Sequence, residues 1–296
     1  MKKKCAFILV VILCFSLLSG CGTENEVTIA SKQYTESLLI AEMYAQLIEA
    51  KTDIKVIRKL NLGGTTVCMS ALNEGKIDIC PMYTGTLYNE VLSHELDGSI
   101  TTEEIRDICH QELDSRLGLT MSEPQGHNNT YALAIKSERV SELGTKISDL
   151  SSLSKDLSFG ANHIFYTRVH DGYDGLTATY DLDFKEALKM DSSLLYEAVD
   201  NGDLDVIIVF STDSLLRKFD LACLEDDRAL FPPYEGVAVC RNEAIEKHPE
   251  LKEILNMLTY AFDDNIIQDL NYQVDIEKRS IEEVAAEFLK DNGYLD

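Results

Sequence analysis

Two stretches of this 296-residue chain share one plan, and that plan limits the fold more than any other feature. Residues 71–79 read Ala-Leu-Asn-Glu-Gly-Lys-Ile-Asp-Ile, and residues 198–206 read Ala-Val-Asp-Asn-Gly-Asp-Leu-Asp-Val. Each is a helix end, a glycine stop and then a strand led in by aspartate. The offset is 127 residues, and carried forward it pairs Tyr83 with Phe210 and Thr84 with Ser211. Two lobes of like construction would each set an aromatic ring just beyond a strand's C-terminal end, where open α/β sheets bind their ligands.

The pattern around these stretches fits an α/β chain. Val27–Ala30, Ile54–Leu60 and Ile77–Cys80 read as strands. Thr35–Ala50, with Leu39, Met43 and Leu47 on one face, and Thr65–Asn73 read as helices. Thr101-Thr102-Glu103-Glu104 has the form of a capping box that opens a helix through Leu117. In the second half, Tyr131–Ile135 and Leu157–Gly160 read as strands, and Leu176–Tyr180 and Ser192–Asp200 as helices. Residues 250–263 and 281–292 are helical by period. Strands alternating with helices predict parallel sheets. No low-complexity linker divides the halves, so short crossing segments are expected to join them.

The N-terminus sets the compartment. Lys2-Lys3-Lys4, the apolar run Ala6–Leu18 and then Leu18-Ser19-Gly20-Cys21 have the order of a secretory signal. The ending resembles a bacterial lipobox, which predicts residues 1–20 as signal peptide, lipid on Cys21 and a tether over 21–26. Lipid there would hold the protein to the outer face of the cell membrane. Loss of residues 1–20, with three lysines and no acid, takes the net charge from −24 to −27. Such acidity argues against a nucleic-acid partner. The 276 residues left are near the limit of one hydrophobic core, which favours two lobes. Five cysteines remain beyond Cys21, widely spaced and without a C-x-x-C, which reads as buried free thiols rather than disulfides or zinc. The six histidines show no metal spacing, and no nucleophile–base–orienter set points to an enzyme. No cofactor or metal is expected.

An aromatic box for a methylated cation would have to be built from the thirteen Tyr and ten Phe of this chain, since it has no Trp. A quaternary ammonium has no N–H to donate and carries a diffuse charge coated in methyl groups. Aromatic faces suit it, each contributing about 0.5–2 kcal/mol according to how dry the site is. Four aromatics stand beside turn residues: Tyr83, Tyr131, Phe210 and Tyr234. Spacing alone does not select them, since an aromatic beside a turn more often packs a core.

Resemblance to a family does select them. The chain resembles the substrate-binding proteins of osmoprotectant importers, which take up glycine betaine, carnitine, choline and relatives. The likeness is carried by Ile29-Ala30-Ser31-Lys32-Gln33-Tyr34-Thr35-Glu36, by Gly75-Lys76-Ile77-Asp78 with Tyr83-Thr84-Gly85-Thr86, by Asn129-Thr130-Tyr131-Ala132, and by Leu224-Glu225-Asp226-Asp227 with Phe231-Pro232-Pro233-Tyr234-Glu235-Gly236. It implies a two-lobed, type II periplasmic-binding-protein fold, each lobe a mixed, mainly parallel sheet flanked by helices. Residues 27–128 plus 236–296 would form lobe I and 129–235 lobe II. It further implies an aromatic cage of Tyr83, Tyr131 and Tyr234, with Phe210 where the family usually has a fourth tyrosine. Lys32, Thr86 and Arg168 are the implied partners of a ligand carboxylate, with Asn129 as a further polar contact. A membrane permease and its ATPase are the implied partners. Another small solute, such as an amino acid or an ergothioneine-like histidine betaine, is the alternative ligand.

Overall fold

The computed structural model describes residues 25–96 and 100–296. The predicted signal peptide, Cys21 and most of the tether lie outside the described residues, and Glu26 already opens the first strand. The strands are β1 (Glu26–Ala30), β2 (Lys55–Lys59), β3 (Ile79–Tyr83), β4 (Leu119–Met121), β5 (Tyr131–Lys136), β6 (Ser158–Ala161), β7 (Glu186–Lys189), β8 (Val206–Phe210), β9 (Leu221–Cys223) and β10 (Gly236–Arg241). The longer helices are α1 (Thr35–Lys51), α2 (Thr65–Asn73), α3 (Thr102–Leu117), α4 (Tyr173–Tyr180), α5 (Ser192–Asp200), α6 (Asp264–Asp275) and α7 (Ile281–Asp291).

They form two five-stranded sheets of matching order, β2-β1-β3-β10-β4 and β7-β6-β8-β5-β9. The match extends to the aspartates of the repeated stretch. Asp78 accepts from the Thr28 amide at the start of β1 and pairs with Arg241. Asp205 accepts from the Ser158 amide at the start of β6 and pairs with Arg139. The glycine stops Gly75 and Gly202 have φ of +66° and +79°, where a side chain would be strained.

Each sheet is mixed, which qualifies the expectation of parallel sheets drawn from alternation alone. β1, β2 and β3 run parallel, while β10 lies antiparallel to β3 and β4. Likewise β6, β7 and β8 run parallel, and β5 lies antiparallel to β8 and β9. The antiparallel strands β5 and β10 are the ones the chain enters after crossing between sheets. The crossings lie side by side: the Asn129 amide donates to Tyr234 O at 3.1 Å, and the Gly236 amide to His127 O at 3.1 Å.

Three other expectations shift. β3 begins at Ile79, two residues late, because Asp78 caps β1, so Tyr83 is the last residue of its strand rather than one beyond it. Phe210 ends β8 in the same way. Residues 250–263 are not one helix. A short turn, Leu251–Leu255, stops before Tyr260, whose φ is +50°, and α6 restarts where the Asp263 side chain accepts from the Ile266 amide. Finally, α1 buries Ile40, Tyr44 and Ile48 as well as Leu39, Met43 and Leu47, because sheet and C-terminal helices enclose it from opposite sides. The capping box of Thr101 and Glu104 forms as read from the sequence. Among the described residues no helix is long and apolar enough to cross a membrane.

Candidate functional site

Tyr83 ending β3 and Phe210 ending β8 border a single cavity of about 540 Å³, within the usual range of small-molecule sites. The same cavity is lined by Tyr131, Tyr234, Lys32, Thr86, Arg168 and Asn129. Residues from both sheets and both crossings are thus brought to one place, although they lie up to 202 positions apart in the chain.

The register of β5 against β8 sets the first pair of rings. Tyr131 lies directly opposite Phe210, and the rings stack with centroids 4.8 Å apart and planes inclined by 21°. No trimethylammonium group fits between rings that close, so only their outer faces remain for a ligand. The Arg168 guanidinium carbon stands 5.1 Å from the Tyr131 ring centre. Arg168 also grips Asp171, with Nε 2.8 Å from Oδ1, and lies beside the Tyr234 ring. Burial works against its charge, but Asp171 more than offsets this and holds the guanidinium above its ordinary pKa. Tyr234 itself is seated by Gly85. A Cβ at Gly85 would come within 2.5 Å of Pro233 O and 2.8 Å of two Tyr234 ring carbons, so the absence of a side chain there admits the ring.

The other side of the cavity is built on β1 and α1. Tyr83 is buried, and its hydroxyl donates to the Glu36 carboxylate. Tyr34, which sequence reasoning did not single out, stacks on Tyr83 with centroids 6.4 Å apart and also lines the cavity. Its presence in the Ser31–Glu36 motif was the one available signal. Lys32 is 4 % exposed, its Nζ lies 4.9 Å over the Tyr83 ring, and no carboxylate among the described residues comes within 4.0 Å of it. Burial therefore lowers its pKa. A buried ammonium without an anion is costly unless a ligand supplies one. Thr86, on the short helical turn Thr84–Thr86, is neutral and nearly buried.

Glu36 is the second residue missed from sequence, where a glutamate in a first helical turn reads as a solvated complement to the dipole. It is 2 % exposed and accepts from both Tyr83 and the Asn129 amide, at 3.2 and 3.3 Å for the latter, with Thr212 beside it. His127 Nε2 lies 3.2 Å from Oε1, a close but poorly aligned approach. Burial by itself would raise the Glu36 pKa, and these partners outweigh it, leaving the carboxyl below its ordinary value. The network joins α1, β3 and the first crossing. It also turns the Asn129 amide hydrogens toward Glu36 rather than freely into the cavity.

Comparison with known proteins agrees with this geometry. Residues 25–291 match the family model of the substrate binding domain of ABC-type glycine betaine transport systems. The carnitine transport binding protein OpuCC of Listeria monocytogenes is 31 % identical, across all of this chain and 99 % of that protein. An ergothioneine transport permease and binding protein, EgtU of Helicobacter pylori, is 34 % identical over 91 % of this chain, which spans 48 % of that longer protein. A crystal structure of a glycine betaine/carnitine/choline ABC transporter superposes with a TM-score of 0.86 at 33 % identity, over 91 % of this chain and all of that one. The chain therefore belongs to the family of substrate-binding domains of ABC-type glycine betaine transport systems, and is a binding protein rather than an enzyme.

Proposed function

We propose that this protein captures a quaternary-ammonium solute, such as glycine betaine, carnitine or choline, and delivers it to a membrane permease driven by an ATPase. The trimethylammonium head lies against the outer faces of Tyr83, Tyr131, Phe210 and Tyr234. Lys32, Arg168 and Thr86 receive a carboxylate when the ligand has one, and Asn129 steadies the site. Residues 27–128 plus 236–296 and residues 129–235 act as the two lobes, which close about the paired crossings. Closure excludes water and so strengthens every charged contact inside. Lipid on Cys21 keeps the protein at the outer face of the membrane, beside its permease.

One observation carries this reading: rings from both sheets share a cavity with a buried lysine that has no anionic partner among the described residues. A zwitterionic methylated amine meets both demands. The 34 % identity to the Helicobacter protein supports a second candidate within the same chemistry, a histidine-derived betaine. A plain amino acid is the less suited alternative, since its ammonium needs hydrogen-bond acceptors that ring faces lack. Calorimetric titration with glycine betaine, proline betaine, carnitine, choline, ergothioneine and plain amino acids tests the proposal. A true ligand at a hundredfold excess over Kd adds about 2.7 kcal/mol of stability. No response to any methylated amine defeats the reading.

A further inference from the structure

We propose that the cavity wall formed by Thr35, Thr212, Ser214, Asn271 and Asp275 reads a hydrogen-bond donor on the ligand, remote from its methylated head. The favoured class is then quaternary ammonium compounds that carry a hydroxyl or a heteroaromatic N–H, in preference to glycine betaine, which has neither. This rests on the binding function proposed above and narrows it.

The argument is a count of donors. All five residues line the cavity. The Thr35 hydroxyl donates to Asp275 Oδ1, and the Ser214 hydroxyl to Asp275 Oδ2 at 3.0 Å. The Asn271 amide donates to the Thr212 carbonyl at 2.9 Å, and Thr212 lies beside Glu36. The Thr35 and Ser214 hydroxyl hydrogens are thus committed to Asp275, leaving one Asn271 amide hydrogen and the Thr212 hydroxyl as the wall's open side-chain donors. Acceptors remain in plenty. A carboxylate offers about four lone-pair sites, and Asp275 uses two. The Asn271 Oδ1 finds no hydrogen-bond partner among the described residues, although the residue is only 5 % exposed. Next to them, Asp213 already accepts from the Tyr196 hydroxyl and the Leu215 amide, which adds negative charge and no donor. A ligand carboxylate is repelled from such a wall, whereas an O–H or N–H completes it.

Size and placement agree. Glycine betaine, with about eight heavy atoms, is far smaller than the drug-sized ligands that sites of ~300–1,000 Å³ enclose. The cavity of about 540 Å³ leaves room for a longer molecule. The wall is shared between lobes: Thr35 opens α1, Asn271 and Asp275 lie on α6, and Thr212 and Ser214 belong to the loop after β8. A donor seated there touches both halves and so favours the closed form, while a ligand without one leaves buried acceptors unmet.

Matched ligand pairs provide the test. Carnitine is titrated against γ-butyrobetaine, which lacks only the hydroxyl, and histidine betaine against its ring-N-methylated form. At least about tenfold tighter binding of the donor-bearing member is expected in one pair, as a hydrogen bond to a charged acceptor predicts. In Asp275→Asn and, independently, Asn271→Ala, each of which removes one of the open acceptors, that ratio should fall to about threefold or less, by the same reasoning. Equal binding of both members of each pair overturns the inference and leaves the proposed function standing. A ratio that persists in both variants overturns the assignment to this wall. Absence of binding by every methylated amine overturns both.

Discussion

The seating of Tyr234 allows the aromatic site to be perturbed in two independent ways. Tyr234→Ala deletes one ring, and with it a cation–π face of about 0.5–2 kcal/mol. At about 1.4 kcal/mol per decade, Kd should rise about two- to thirtyfold. Gly85→Ala keeps every ring but introduces a methyl 2.5 Å from Pro233 O and 2.8 Å from the ring, where ordinary contact begins at 3.4 Å. The second crossing and Tyr234 must retreat by close to an ångström. Overpacking of this kind destabilises by about 1–3 kcal/mol, and the displaced face should weaken binding by about tenfold as well. Isothermal titration with the tightest ligand of the panel measures both, after thermal melts show that each variant unfolds cooperatively. If both variants fold and both bind with unchanged affinity, Tyr234 has no part in recognition and the cage argument fails there.

Three further outcomes follow from the same geometry. Lys32→Met removes a buried ammonium without an anion, so the ligand-free protein should melt about 2–4 °C higher for each kcal/mol regained, while carboxylate-bearing ligands bind more weakly and choline is spared. Because burial lowers the Lys32 pKa, the unfolded chain holds the proton more tightly, so wild-type stability should rise with pH just below 10.5 and the Met variant should lack that rise. Phe210→Tyr keeps the face that stacks on Tyr131 and should hold affinity within about threefold by calorimetry, since only an exposed hydroxyl is added. Glu36→Gln should destabilise by about 1–3 kcal/mol at neutral pH, where its donors lose a charged acceptor. The Glu36 pKa is depressed in the fold, so this contribution is present above the ordinary value of 4.5 and fades as pH falls through the lower folded value. Urea melts from pH 3 to pH 7 should therefore show wild type and variant converging in acid; a constant gap across that range refutes the assignment.

Much of the α/β pattern could be read locally. The boundaries of α2 and α5 and the capping box of α3 depend on near neighbours in sequence, and they fall where pattern and turn chemistry put them. The extent of β3 was misjudged because Asp78, which looked like the second residue of a strand, is committed to the Thr28 amide fifty residues away. The break at Tyr260 was invisible because nothing local demands left-handed backbone from a tyrosine.

The candidate site was legible only through resemblance. Tyr83, Tyr131, Phe210 and Tyr234 cannot be told by period from the other aromatics, and the residues that hold them, Gly85, Asp171 and Glu36, send no signal of their own. Asn271 and Asp275 lie on a helix that begins at Asp264, between the two stretches, 250–263 and 281–292, that period marks as helical. Buried partners like these are chosen by three-dimensional proximity, to which hydrophobic period is blind.

By itself, then, the amino-acid order determined the repeated helix–glycine–strand units, the acidic charge and the supply of Tyr and Phe without Trp, since all of these are fixed by neighbours or by count. Tertiary structure alone decided that the segments leading into β5 and β10 would cross between the sheets side by side, and that rings, a buried lysine and a donor-poor wall would share one cavity. The physical reason is that a cavity's charge and hydrogen-bond balance belong to the groups that surround it, and those groups become neighbours only when the two sheets and their crossings have formed.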